Sequence, residues 1–153
     1  MKDIYSNLEG RQKVMFRIGS IFIPVTDLEK ASKWYEKMLG VKKIDSWEEG
    51  IGFYFPSGST QLALIQVNLP QSSEFIVKNE EKNSYFNFIV DHIEEVYEYL
   101  NKNGVKTTEI KDFGGMKYFD FFDLDGNPFS VVDEPINSPF HSANIQKLQN
   151  TIF

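Results

Sequence analysis

The chain contains no cysteine. That absence excludes disulfides, thiolate metal sites and a cysteine nucleophile together, and it is compatible with a reducing cytoplasm. Histidine is scarce as well, since His92 and His141 are the whole supply of imidazole. There is no basic stripe either. The formal charge of −6 is spread over 153 residues, and lysine-rich places such as Lys42-Lys43 are short and interrupted by acids. Nucleic-acid binding, which requires several phosphates to be neutralised, is therefore disfavoured. No apolar run approaches the roughly 18–20 residues of a membrane span. The start, MKDIYSNLEGRQK, is too polar for a signal peptide. These absences predict a soluble cytoplasmic protein without nucleic-acid or membrane partners.

What is present is apolar and aromatic. With 41% hydrophobic residues, 14 Phe and 7 Tyr, the chain can bury a core without disulfide or metal support. Residues 1–14 are polar and read as an N-terminal extension. From Arg17 to Val25, RIGSIFIPV alternates as a strand does, with Ser20 and Phe22 sharing one face. Thr26 to Glu29, TDLE, fits a capping box and starts a helix. Leu28, Ala31, Tyr35, Met38 and Leu39 form its apolar stripe, and Gly40 ends it. Strands are expected at 41–44, 51–55 and 60–66, followed by a polar connector over 67–82.

The pattern then recurs. Residues 84–90, SYFNFIV, alternate again, and Asp91 to Glu94 resembles the first cap at a distance of 65 residues. Ile93, Val96, Tyr97 and Leu100 make a second stripe. Asn103-Gly104-Val105-Lys106 echoes Leu39-Gly40-Val41-Lys42. Further strands are predicted at 105–109, 117–122 and 128–132. Neither half is large enough to bury its own sheet well, so the two should share a layer.

Three stretches, IPVTDLEKASKWYEKMLG (23–40), FNFIVDHIE (86–94) and FDLDGN (122–127), resemble in order the signatures of the vicinal oxygen chelate superfamily, which includes glyoxalases, bleomycin-resistance proteins and extradiol dioxygenases. The resemblance runs from about residue 15 to about residue 134. It implies an α+β fold in which two βαβββ modules, at about 15–66 and 83–134, curl their mixed sheets into a partly open barrel with helices outside and a ligand cleft inside. Residues 135–153 would be a C-terminal tail. By the same resemblance a homodimer is expected, because family members pair modules between chains as well as within one.

The resemblance implies that metal-dependent relatives carry His on the inward face of the first strand of module one, usually an acid or Gln on that module's last strand, and an equivalent pair in module two. Aligned to the helix starts and to the final turn, those positions fall here on Ser20, on Ala63 (or Gln61 one inward residue away), on Tyr85 and on Ser130. Ser130 stands where the pattern would carry Glu. Divalent metals in such sites need converging imidazole or carboxylate donors, so no metal or other cofactor is expected. DLDGN does not restore one. Treated as a calcium loop with Gly126 sixth, it puts Phe121 first and Val132 twelfth, where oxygen ligands are required. A hairpin turn suits it better. His92 at a helix start and His141 in the tail read as surface residues.

The expected ligand is a small organic molecule. Ser20, Phe22, Tyr85, Asn87 and Ser130 should face the cleft, with Trp47 and Tyr54 on its wall or rim. On the strand over 117–122, either Phe119 and Phe121 or Tyr118, Asp120 and Phe122 face inward, and periodicity does not choose between them. Most aromatics of such a domain are core. The leading expectation is a metal-independent binding protein. The alternative is a lyase, isomerase or dioxygenase of the same superfamily with displaced metal ligands, or a metal-free catalyst using Tyr85 and Asp120 as acid and base.

Overall fold

The computed structural model describes residues 16–151; the predicted extension at 1–14 lies outside them. Module one runs β1 (Ser20–Val25), α1 (Leu28–Leu39), β2 (Lys42–Trp47), β3 (Gly50–Tyr54) and β4 (Gln61–Gln66). A hairpin, β5 (Glu74–Lys78) and β6 (Glu81–Ser84), follows. Module two runs β7 (Asn87–Ile89), α2 (Ile93–Lys102), β8 (Lys111–Phe113), β9 (Met116–Phe122) and β10 (Pro128–Asp133), and α3 (Ser142–Thr151) ends the described chain. The strand orders are β1-β4-β3-β2 and β7-β10-β9-β8. In both sheets the first strand pairs in parallel with the last, and the remaining pairs are antiparallel. The α+β fold and its internal duplication are therefore as expected.

Four local expectations change. The 67–82 connector is not structureless, because 74–78 and 81–84 pair as a hairpin around Asn79, which has φ 52°. The strand predicted over 105–109 is reduced to a single bridge, Thr107 to Phe121, and the regular pairing shifts to Lys111–Phe113. Part of the tail is helical. Neither cap works as predicted. Asp27 caps α1 by accepting from Lys30 N at 3.0 Å, while Thr26 turns to Asp125. His92 occupies the N-cap of α2 without a side-chain bond, and Asp133 of β10 accepts from Ile93 N instead.

One face of each sheet is core. Ile23, Val25, Phe53, Leu62 and Leu64 of module one join Phe119, Phe121, Phe129 and Val131 of module two in one buried cluster with Tyr35 of α1. Helix α1 lies at the seam: its Trp34 ring stacks at 6.4 Å on Phe121, and Tyr35 meets Phe129 edge-on at 6.3 Å. Burying such rings supplies most of the attraction between the modules. No helix among the described residues is long and apolar enough to cross a membrane.

DLDGN is the β9–β10 turn and also a clasp between modules. Gly126 takes the left-handed conformation at φ 80° and donates to the Asp123 carbonyl. Asn127 does not share that conformation. It contributes its side chain, donating to the Asp123 carboxylate at 2.8 Å and to the Pro24 carbonyl at 3.0 Å. Asp123 also accepts from Tyr35 Oη at 2.5 Å, and Asp125 from Thr26 Oγ1 at 2.5 Å. Burial, and then the neighbouring Asp123 carboxylate, drives the Tyr35 hydroxyl far above the phenol range, so it remains a donor.

Candidate binding cleft

Strand register decides which side chains share a face. In module one, Ser20 pairs with Gln61 and Phe22 with Ala63; Gly52 lies opposite Ala63, and Tyr54 opposite Gln61. These six are therefore on the face away from the core. Trp47 pairs with Gly50 in the β2–β3 hairpin and joins them. Its indole lies over the strand so closely that a Cβ on Gly50 would land inside the ring, and one on Gly52 would come within 3.8 Å of it. The result is a surface on which the Trp47 indole covers Gly50 and reaches Gly52, with Ala63 between Gly52 and Phe22. Phe22 is 66% exposed, Trp47 51% and Tyr54 44%.

In module two, Ser130 pairs with both Asn87 and Asp120, and Tyr118 with Val132 and Lys111. Of the two alternatives for this strand, the register selects Tyr118, Asp120 and Phe122 for the open face. Phe119 and Phe121 are core, 1% exposed each. Asp120 is held on both sides of its backbone: its N–H donates to Thr108 Oγ1 at 2.8 Å, and its carbonyl accepts from Thr108 N at 2.8 Å. Burial raises its carboxyl above the usual range, against the lowering effects of the Ser130 hydroxyl and the Lys111 charge.

Tyr85 is placed differently from its strand expectation. It falls between β6 and β7, is largely exposed, and packs its ring 5.1 Å from Phe75 of the hairpin. The in-register partner of Ser130 is Asn87. Thr108 and Lys111 were missed because their approach depends on the register of β8 and the segment before it. The Trp47 shelf had a legible signal, Gly50-Ile51-Gly52, in which alternation puts both glycines on one face.

Neither the four expected positions, Ser20, Ala63 or Gln61, Tyr85 and Ser130, nor the strand partners Phe22 of Ala63 and Asn87 of Ser130 carry an imidazole or a carboxylate. Among the described residues no group of three or more His, Asp or Glu could hold a metal ion. This donor set does not fit a divalent metal of the superfamily's kind. His141 caps α3 by accepting from Ala143 N at 3.0 Å.

A sequence profile described as Glyoxalase/Bleomycin resistance protein/Dioxygenase superfamily matches residues 17–131. The chain belongs to this superfamily. Its solved relatives include a genomically encoded fosfomycin resistance protein, FosX, from Listeria monocytogenes, with TM-score 0.63, 15% identity and coverage of 80% of this chain and 96% of that one. TnmS3, an antibiotic binding protein from Streptomyces sp., has TM-score 0.62 and 16% identity over 81% of this chain and 100% of its own. A superfamily member from Sphaerobacter thermophilus reaches 26% identity at TM-score 0.62, over 80% of this chain and 100% of its own. Among curated proteins no sequence match is found. Superfamily membership accounts for the fold, and relatives at 15–16% identity add nothing to the chemistry.

Proposed function

We propose that this superfamily member is a metal-independent protein that binds a small organic molecule in an aromatic-lined cleft, and that it acts in the cytoplasm. The observation that carries the reading is the open face of module one. Three aromatic rings, Phe22, Trp47 and Tyr54, are exposed on it, and no imidazole or carboxylate stands at the positions expected for metal ligands. Ligand sites are mostly apolar concavities with a few placed polar groups, and Asn87, Asp120 and Ser130 of module two are suitable polar groups.

Those two faces belong to sheets that share their core on the opposite side. Among the described residues β1 and β7 are both unpaired at one edge, and they are equivalent strands of the two modules. Open edges of this kind invite strand addition. A homodimer that sets β1 of one copy beside β7 of the other would bring the Phe22 and Trp47 face of one module next to the Asn87, Asp120 and Ser130 face of the other. Thermal-shift screening of an aromatic and antibiotic library, with and without EDTA, tests the function. Stabilisation by a library member that survives EDTA is expected; stabilisation that requires added metal would overturn the reading. Light scattering tests the dimer separately.

A second reading, catalysis, has one observation in its favour: Asp120 is half-buried with a raised carboxyl beside Ser130 and Lys111, as suits a general base. Ligand turnover abolished by Asp120→Asn, with binding retained, would establish it.

A further inference from the structure

On the helix-covered side of the molecule, opposite the cleft faces, a cavity of about 560 Å³ opens between the modules. Its walls come from both: Leu39 at the end of α1 and Phe55 at the end of β3 face Phe88 of β7 and Val96 of α2. Phe88 and Phe55, which follows β3, both pack against the shared core, so the space opens on the core side of the sheets, and of its lining only Ile89 has the open-face parity of β7. Their rings stand 6.2 Å apart. Across the mouth, Tyr99 Oη donates to the Lys37 carbonyl at 2.5 Å and ties α2 to α1. The volume falls within the several-hundred-Å³ range of small-molecule sites, and most of the lining is carbon.

The polar part of the lining has one sign. Glu95 is the charged side chain among the lining residues. The last turn of α1 carries Lys37, and Glu95 lies in the first turn of α2, so the two helix ends at this wall offset one another and the glutamate sets the preference. Its carboxylate favours a cation, and the chain's charge of −6 reinforces that preference. An anionic ligand would meet repulsion from it.

We propose that this inter-module cavity is a second binding site, and that it takes a small lipophilic amine: a flat apolar body packed against Phe55, Phe88 and Val96, with its protonated amino group at Glu95. Such a ligand would bridge the modules.

The test uses the full chain and three probes that share one ring system, 1-naphthylmethylamine, 1-naphthalenemethanol and 1-naphthoate, followed by titration calorimetry and NMR. The amine should bind most tightly and the carboxylate least. Glu95→Gln should weaken the amine about fivefold, the effect of a partly exposed ion pair, while leaving the alcohol unchanged. Val96→Trp, which fills the cavity, should weaken both at least tenfold. Should that variant fail to fold, NOEs from the naphthyl protons to Phe88 and Val96 of the wild type decide. Contacts there support the proposal. Contacts to Phe22 or Trp47 instead, unchanged affinity in a folded Val96→Trp variant, or no binding of the amine would overturn it.

Discussion

The two sheets began from one plan, and their open faces now differ in kind. Module one presents Phe22, Trp47 and Tyr54 beside Ala63, with Ser20 and Gln61 as its polar groups. Module two keeps aromatics there too, Tyr118 and Phe122, but adds Asn87, Asp120, Ser130 and Lys111. The core faces diverged far less, since both remain apolar and both pack on α1. Burial constrains one side of each strand while the other is free to change, so the chemistry of this protein has to be sought in the residues that alternate with the core.

The comparison can be broken most forcefully at the clasp. Asp123 accepts from Tyr35 Oη, Asn127 Nδ2, Asn127 N and Asp125 N. Asp123→Ala would leave those buried donors without an acceptor and should cost about 3–5 kcal/mol, measured by urea unfolding. A loss within error would mean that the Tyr35–Asp123 bond does not hold the modules together, leaving that to the apolar contacts and to the Thr26–Asp125 and Asn127–Pro24 bonds. Next in size, Gly50→Ala pushes a methyl into the Trp47 indole and should cost about 1–3 kcal/mol. Most of that loss should be recovered when Trp47→Ala is added; strict additivity of the two would place the ring elsewhere.

A smaller effect concerns acid. The Asp120 and Asp123 carboxyls are both raised above the ordinary 3.8, in each case by burial first. A carboxyl raised in the folded state holds more protons there than in the unfolded chain, between the ordinary value and the raised one. Its contribution to stability therefore grows as pH falls through the raised value, is complete below 3.8, and is lost above the window. Asp120→Asn should remove its share of that slope in a stability profile against pH. Because the Ser130 hydroxyl lowers the Asp120 carboxyl, Ser130→Ala should raise its titration midpoint by NMR, and an unchanged midpoint would separate the two side chains. Smallest of all, Lys117→Met removes an exposed 2.6 Å pair with Glu94 and should leave the unfolding midpoint within error.

Much of the fold was legible because it is written in periodicity. The apolar stripe of α1, the alternation of β1 and the repeat after 65 residues each reflect burial on one side of an element. Turn chemistry was legible too, as in the reading of DLDGN as a hairpin. Long-range hydrogen bonding was not. Thr26 has the composition of a cap, but Asp125, 99 residues away, competes for it and wins. The second helix takes its cap from Asp133, which no local pattern indicates. The choice between the two faces of β9 had the same cause: both faces carry aromatics, so alternation alone assigned neither, and pairing with Ser130 was needed to decide it.

The clasp also sets an order of events. Sheet one can be completed within the span from Ser20 to Gln66, but Tyr35 is 88 residues from Asp123, and Asn127 is 103 from Pro24. Closing loops of that length costs more chain entropy than any pairing inside a module, and contacts so distant in sequence slow folding. Until the β9–β10 hairpin has been synthesised, Trp34 and Tyr35 lack their module-two partners Phe121 and Phe129 and are apolar surface. Strands β9 and β10, made long after α1, are thus the ones that shield that helix from aggregation.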